Sequence, residues 1–196
     1  MRKAQGKGFF RGLYKVAEFI TFFCLCLFFL IGAGRCATAK YVYPVKYKTE
    51  VFAYADMYGL SRALVFAMIK TESGFDPSAR SDAGAVGLMQ ITEETGKYIA
   101  EKLGAVSYDL SDPETNVSFG CFYIKYLLTR FKNENTALAA YNAGEGNVAI
   151  WLEDESCSED GKTLKYIPFA ETRAYLRKIW KSFEKYKKLY GKTLDK

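Results

Sequence analysis

The sequence predicts an all-α single domain preceded by a signal or anchor segment. Three observations carry this. Apolar residues recur at helical spacing in several stretches, and no convincing run alternates with the period of a strand. Helix-start and helix-stop residues separate these stretches at short intervals. The first 39 residues instead show a basic start, the uncharged run from Phe19 to Gly34, and then Ala37-Thr38-Ala39 as an A-x-A pattern.

Residues 1–39 therefore read as a signal peptide or membrane anchor, with residues 16–34 as the anchoring stretch. Both outcomes remain open, because the uncharged run is long for a signal and short for a span. Arg35 before Cys36 removes a lipoprotein signature. Residues 40–48 form a linker rich in tyrosine and lysine. A domain follows over 49–190, with a tail at 191–196.

Each helix has its own signals. Thr49 is expected to cap a helix to about Tyr58, stopped by Gly59. Ser61 is expected to cap the next, which contains Ala63-Leu64-Val65-Phe66-Ala67-Met68-Ile69 and ends near Glu72. Residues 74–87 are an irregular loop with turns at Asp76-Pro77 and Ser81-Asp82-Ala83-Gly84. Thr92 starts a helix that stops near Leu103-Gly104. Asp112-Pro113-Glu114 combines an N-cap, a proline at the first helical position and an early acid. The helix it opens reaches about Phe131, with Val117, Cys121, Ile124 and Leu128 on one face. Residues 135–143 and then Ala149 to Leu152 give two short helices. The last helix runs from about Phe169 to Tyr190, with Tyr175, Leu176, Ile179, Phe183 and Tyr186 facing inward and lysines outward, most simply a solvated face and otherwise a contact for anionic wall polymers or lipid head groups.

Composition narrows the chemistry. The chain has 196 residues, 49% of them hydrophobic, enough for one sizeable core. Its net charge of +6 is misleading: residues 1–39 hold six of the 28 basic residues and one of the 22 acids, leaving +1 for residues 40–196. No nucleic-acid partner is expected, and membrane contact only through the N-terminal segment. There is no histidine. That removes Ser-His-Asp and Cys-His catalysis and most zinc sites, so no metal or cofactor is expected. Cleavage after Ala39 would leave Cys121 and Cys157, either paired or as unrelated thiols.

Glu72 stands out. At helical spacing it shares the face of Val65, Met68 and Ile69. A carboxylate on an apolar face should have a raised pKa, which suits a general acid. Escape to solvent at a frayed helix end competes on equal terms.

Three segments surround such helix ends: Glu72-Ser73, Gly87-Leu88-Met89-Gln90 and Ala140-Tyr141-Asn142-Ala143-Gly144, with Ile167 to Tyr175 near the end. In this order they resemble the catalytic domain of bacterial lytic transglycosylases of the soluble Slt type, over about residues 45–190. The resemblance implies a goose-type lysozyme-like fold. It also implies cleavage of the β-1,4 bond between N-acetylmuramic acid and N-acetylglucosamine in peptidoglycan. Glu72 would be the single acid/base, the substrate's acetamido group would assist, and 1,6-anhydromuramoyl ends would form. A lysozyme-like hydrolase and a non-catalytic glycan-binding relic are the alternatives.

The expected substrate-binding residues are Ser73, Ser81, Gly87, Met89, Gln90, Tyr141, Asn142, Glu171 and Tyr175. Ser73 would bond the carboxylate or a sugar, Met89 would wall a sugar face, Gln90 would read an N-acetyl group, and Glu171 with Tyr175 would close the cleft. Arg173 would pair with an acid. Asp76, Asp82, Glu93 and Glu94 have sufficient turn or cap readings and are not expected to act as a second carboxylate. Small enzymes of this kind often serve envelope-spanning secretion or conjugation machines, or phage entry. The expected location is outside the cytoplasm. Ser156 to Gly161 departs from the pattern and has no functional reading.

Overall fold

The computed structural model describes residues 19–28 and 40–194. The chain divides into two units, Met1–Pro44 and Val45–Lys196. In the first, residues 19–28 are helical and exposed. The basic start and Ala37-Thr38-Ala39 lie outside the described residues. No helix among the described residues is long and apolar enough to cross a membrane.

The second unit holds helices α1 (Lys48–Tyr58), α2 (Arg62–Glu72), α3 (Glu93–Leu103), α4 (Pro113–Phe131), α5 (Glu134–Ala143), α6 (Glu145–Glu153) and α7 (Ala170–Leu194). Only isolated bridges appear among its described residues: Arg80 with Val86, Val86 with Ile91, and Ser158 with Leu164. The expected all-α class is the one observed.

Helix α2 is the core. All seven residues Ala63–Ile69 are buried, as a helix apolar all round requires. It packs mainly against α7, where Phe66 stacks on Tyr186 at 5.5 Å between centroids. Phe75, just past the end of α2, lies 6.3 Å from the same Phe66 ring. Helix α4 packs against α1 and α5. Its buried face holds Val117, Cys121, Ile124 and Leu127, so Leu127 takes the inward place expected of Leu128.

The start and stop signals match the structure with three exceptions. Thr92, Asp112 and Asn133 cap α3, α4 and α5 by accepting from backbone N–H groups three residues on. Thr49 does not cap α1. Tyr47 adopts a left-handed φ of 53°, so the helix begins at Lys48, and Val51 N–H bonds the Tyr47 carbonyl at 3.0 Å. Ser61 occupies the cap position of α2, but its hydroxyl makes no cap bond. Helix α7 continues past Tyr190, because Leu194 still finds a buried place. Cys121 and Cys157 are both free and buried, and burial pushes the Cys121 thiol far up.

Candidate active site

The motif Gly87-Leu88-Met89-Gln90 is a tight closed loop. Val86 and Ile91 exchange two backbone hydrogen bonds, both 3.0 Å, across its base. Gly87 (φ 81°) and Gln90 (φ 50°) turn the chain at each end through left-handed conformations. Leu88 and Met89 between them are fully buried, so the loop is fastened from below by its own side chains.

Backbone groups of this loop hold the other motifs. Ser73, following Glu72 at the end of α2, donates its hydroxyl to the Leu88 carbonyl at 2.9 Å and also approaches the Ile69 carbonyl at 3.2 Å. Tyr141 on α5 donates to the Met89 carbonyl at 2.8 Å. Asn142, next in sequence, accepts from the buried Thr172 hydroxyl at 2.7 Å, which ties α5 to the start of α7. The four segments singled out in the sequence thus meet through a chain of hydrogen bonds.

Glu72 sits at that junction. Tyr175 on α7, one turn after Glu171, donates its phenol to Glu72 Oε1 at 2.6 Å. Burial raises the Glu72 pKa from 4.5 to about 7, and the Tyr175 bond, which favours the carboxylate, opposes part of that rise. Burial also lifts the phenols of Tyr175 and Tyr141 well above their ordinary range, and the nearby Glu72 charge lifts both further. Both tyrosines therefore stay protonated donors. With Oε1 occupied by Tyr175, the acid proton of Glu72 belongs on Oε2.

Several expected site residues make contacts within the scaffold. Met89 cannot wall a sugar: its side chain is buried against Gly120, where an added Cβ would meet Met89 Cβ at 2.8 Å. Gly87 does not open its Cβ side to a ligand, because the Asn116 amide and the Leu110 carbonyl, 2.7 Å from an added Cβ, fill that side. The Ser73 hydroxyl goes to backbone carbonyls rather than to the Glu72 carboxylate. Ser81 is exposed and accepts from Ala85 N–H at 3.1 Å, an ordinary turn contact. Gln90 donates to the Gly87 and Ala79 carbonyls at 3.0 and 3.1 Å, bracing its own loop. Among the described residues Arg173 pairs with no acid; it donates to the carbonyls of Ile167 and Pro168. Glu171 is exposed while Tyr175 is buried.

Of the other nearby acids, Asp76 accepts from Ser78 in a turn, Glu93 accepts from Tyr108, and Asp82 and Glu94 are exposed.

Asn116 is the residue that sequence reading missed. It is fully buried on α4. Its Oδ1 accepts from Met89 N–H at 2.7 Å, and its Nδ2 donates to the Val86 and Leu110 carbonyls, both at 2.8 Å. The available signal was an amide beside Val117 on an apolar face. A cavity of about 330 Å³ lies next to the site, lined by Glu94, Thr95, Tyr98, Tyr123, Gly144, Glu145 and Gly146. The Tyr123 ring joins it to Tyr141, 5.6 Å between centroids. A second cavity, about 600 Å³, is lined by the ends of α4 and α6 and residues 160–163, and holds none of the expected site residues.

With this arrangement in view, the comparison with known families is decisive: the transglycosylase SLT domain matches residues 50–163. The chain belongs to that family. The soluble lytic murein transglycosylase of Salmonella typhimurium is 33% identical over 143 residues, 70% of this chain and 22% of its own length. Membrane-bound lytic murein transglycosylase C of Edwardsiella ictaluri is 30% identical over 174 residues, covering 74% of this chain and 47% of itself. The solved 70 kDa soluble lytic transglycosylase of Escherichia coli superposes with a TM-score of 0.68 at 28% identity, over 78% of this chain and 26% of that one. An inactive mutant of lytic transglycosylase Slt from Pseudomonas aeruginosa gives 0.65 at 31% identity, over 75% and 25%. The SLT domain here has the expected lysozyme-like fold, and the chain spans about a quarter of the soluble relatives it matches.

Proposed function

We propose that this SLT domain cleaves the β-1,4 bond between N-acetylmuramic acid and N-acetylglucosamine in peptidoglycan, with Glu72 as its only acid/base. The observation that carries the reading is a half-buried carboxyl whose pKa is raised to about 7 and which is held by the Tyr175 phenol. A retaining glycosidase of the two-carboxylate kind places its partner about 5–5.5 Å away. Among the described residues, the other acids near Glu72 in sequence are occupied in local contacts (Asp76, Glu93) or exposed (Asp82, Glu94). The nucleophile must then come from the substrate.

In the first step Glu72 gives the Oε2 proton to the glycosidic oxygen. The C1–O bond breaks and N-acetylglucosamine leaves as an alcohol, while the acetamido oxygen of the muramoyl residue bonds C1. In the second step ionised Glu72 takes the proton of that residue's C6 hydroxyl. Its oxygen displaces the acetamido oxygen and forms the 1,6-anhydro ring. The proton count closes with Glu72 protonated again and no water consumed. A group titrating at about 7 is populated in both forms at neutral pH, which serves both steps. Tyr175 keeps Oε1 occupied throughout and stabilises the ionised form made between the steps.

Among the polar groups expected at the substrate, Asn142, Glu171, Tyr141 and Gln90 stay as candidate sugar contacts. For Gln90 the contact falls to the carboxamide oxygen, because its amine is spent on carbonyls. The domain works outside the cytoplasm, since peptidoglycan is there and the uncharged Phe19–Gly34 run behind a basic start suits export. Secretion or conjugation machinery is a candidate partner through the family resemblance alone. Digestion of purified peptidoglycan followed by mass spectrometry tests the activity. Anhydro ends, absent with Glu72→Gln, support it, and reducing ends on every product would assign a hydrolase.

A further inference from the structure

Helix α7 carries a feature that the glycan chemistry does not use. It holds eight basic residues and two acids, while residues 40–196 total only +1. The rest of that segment is therefore at −5, and the charge is segregated onto one helix. Thr172, Tyr175, Leu176, Ile179, Ser182 and Tyr186 form its buried face. On the opposite side Arg177, Lys178, Lys181, Lys185, Lys188 and Lys192 fall within about 100° of arc. All six are exposed. None enters an ion pair among the described residues.

We infer that this face of α7 docks on an anionic membrane surface, a contact beyond the one the sequence assigns to residues 16–34. Shape and charge together favour a lipid surface. The stripe runs straight for roughly 22 Å along a convex helix, and no α7 residue lines any of the described cavities. A plane of headgroups can meet all six cations at once, whereas a single polyanionic strand gains most from a groove. No apolar side chain larger than Ala174 falls within the arc, so the contact is electrostatic and peripheral rather than inserted. The negative remainder of the domain is repelled by the same headgroups and turns the stripe toward them.

Residue-resolved acetylation of lysines tests this on the full chain, reconstituted in vesicles of phosphatidylcholine alone or mixed with phosphatidylglycerol. Each cation near an anionic surface adds roughly a fivefold preference. Lys181, Lys185, Lys188 and Lys192 should be modified several-fold more slowly on the anionic vesicles, with Lys97 and Lys125, exposed on α3 and α4, unchanged. The protection should vanish at about 1 M salt, where the Debye length is about 3 Å. The combined variant K181Q/K185Q/K188Q should lower that preference on the order of 100-fold, weaken the protection of Lys178 and Lys192, and cut soluble glycan as before. Equal modification on the two vesicle types would overturn the inference. So would protection on neutral vesicles that appears only when soluble poly(glycerol phosphate) is added, since that would identify a wall polymer as the partner. The labelling does not read catalysis, so its failure and failure of the proposed activity are distinguishable.

Discussion

Replacing Glu72 with Gln should make the domain more stable, and only above acidic pH. Burial raises the Glu72 pKa from 4.5 to about 7. Between those values the folded chain holds a proton that the unfolded chain has released, so stability falls as pH rises through the window. The difference of about 2.5 units corresponds to about 3 kcal/mol at 1.36 kcal/mol per unit. Glutamine keeps the shape and still accepts from Tyr175, but it has no ionised form to bury. At pH 4 the two proteins should unfold alike. By pH 8 Glu72→Gln should lead by up to about 3 kcal/mol. Urea unfolding read by fluorescence measures this, because both tryptophans, Trp151 and Trp180, lie in the second unit. Other carboxylates titrate equally in the two proteins and cancel in the comparison. A stability difference that stayed constant from pH 4 to pH 8 would refute the burial argument.

Tyr175→Phe removes a bond that favours ionised Glu72. Hydrogen bonds to charged groups are worth roughly 1.5–3 kcal/mol, so the alkaline limb of kcat/KM should move up from about pH 7 by roughly one to two units; an unmoved limb would count against the 2.6 Å contact. Asn116→Ala leaves two buried backbone groups, the Met89 N–H and the Leu110 carbonyl, without partners, while the Val86 carbonyl keeps the Ile91 N–H; it should cost roughly 2 kcal/mol or more, with lower activity because the Met89 segment that receives Tyr141 loses its support, and a cost below about 1 kcal/mol would show the loop is held otherwise. Gly87→Ala meets both a left-handed φ and the Leu110 carbonyl, whereas Gly84→Ala meets only the φ, with nothing within 4 Å of an added Cβ. The first should therefore destabilise clearly more than the roughly 1–2 kcal/mol expected of the second, and equal thermal unfolding shifts would contradict the close approach.

The helices were legible in the sequence because their signals are local. The proline after Asp112, the threonine at 92 and the glycines at 59 and 104 act within one turn, and each marks a boundary in the structure. Thr49 misled because the competing residue, Tyr47, has no sequence mark for a left-handed φ. At the site, Glu72 was legible because a charge on an apolar face is conspicuous. Met89, Gly87 and Ser73 were correctly brought together by their motifs, yet their tasks were not readable. A short motif fixes which residues meet, while the direction of each side chain depends on partners far along the chain. Ser73 reaches Leu88, Tyr141 reaches Met89, and Thr172 reaches Asn142. Asn116 escaped notice for the same reason: its three partners all sit on loops elsewhere.

The central claim is that Glu72 acts alone and the substrate supplies the nucleophile. Digesting peptidoglycan in water enriched in heavy oxygen and weighing the new muramoyl ends tests it most directly. The account predicts ends lighter by one water than a reducing sugar, carrying no heavy oxygen, and none formed by Glu72→Gln. Reducing ends labelled with the heavy isotope would contradict it, because water would then have taken the place of the C6 hydroxyl.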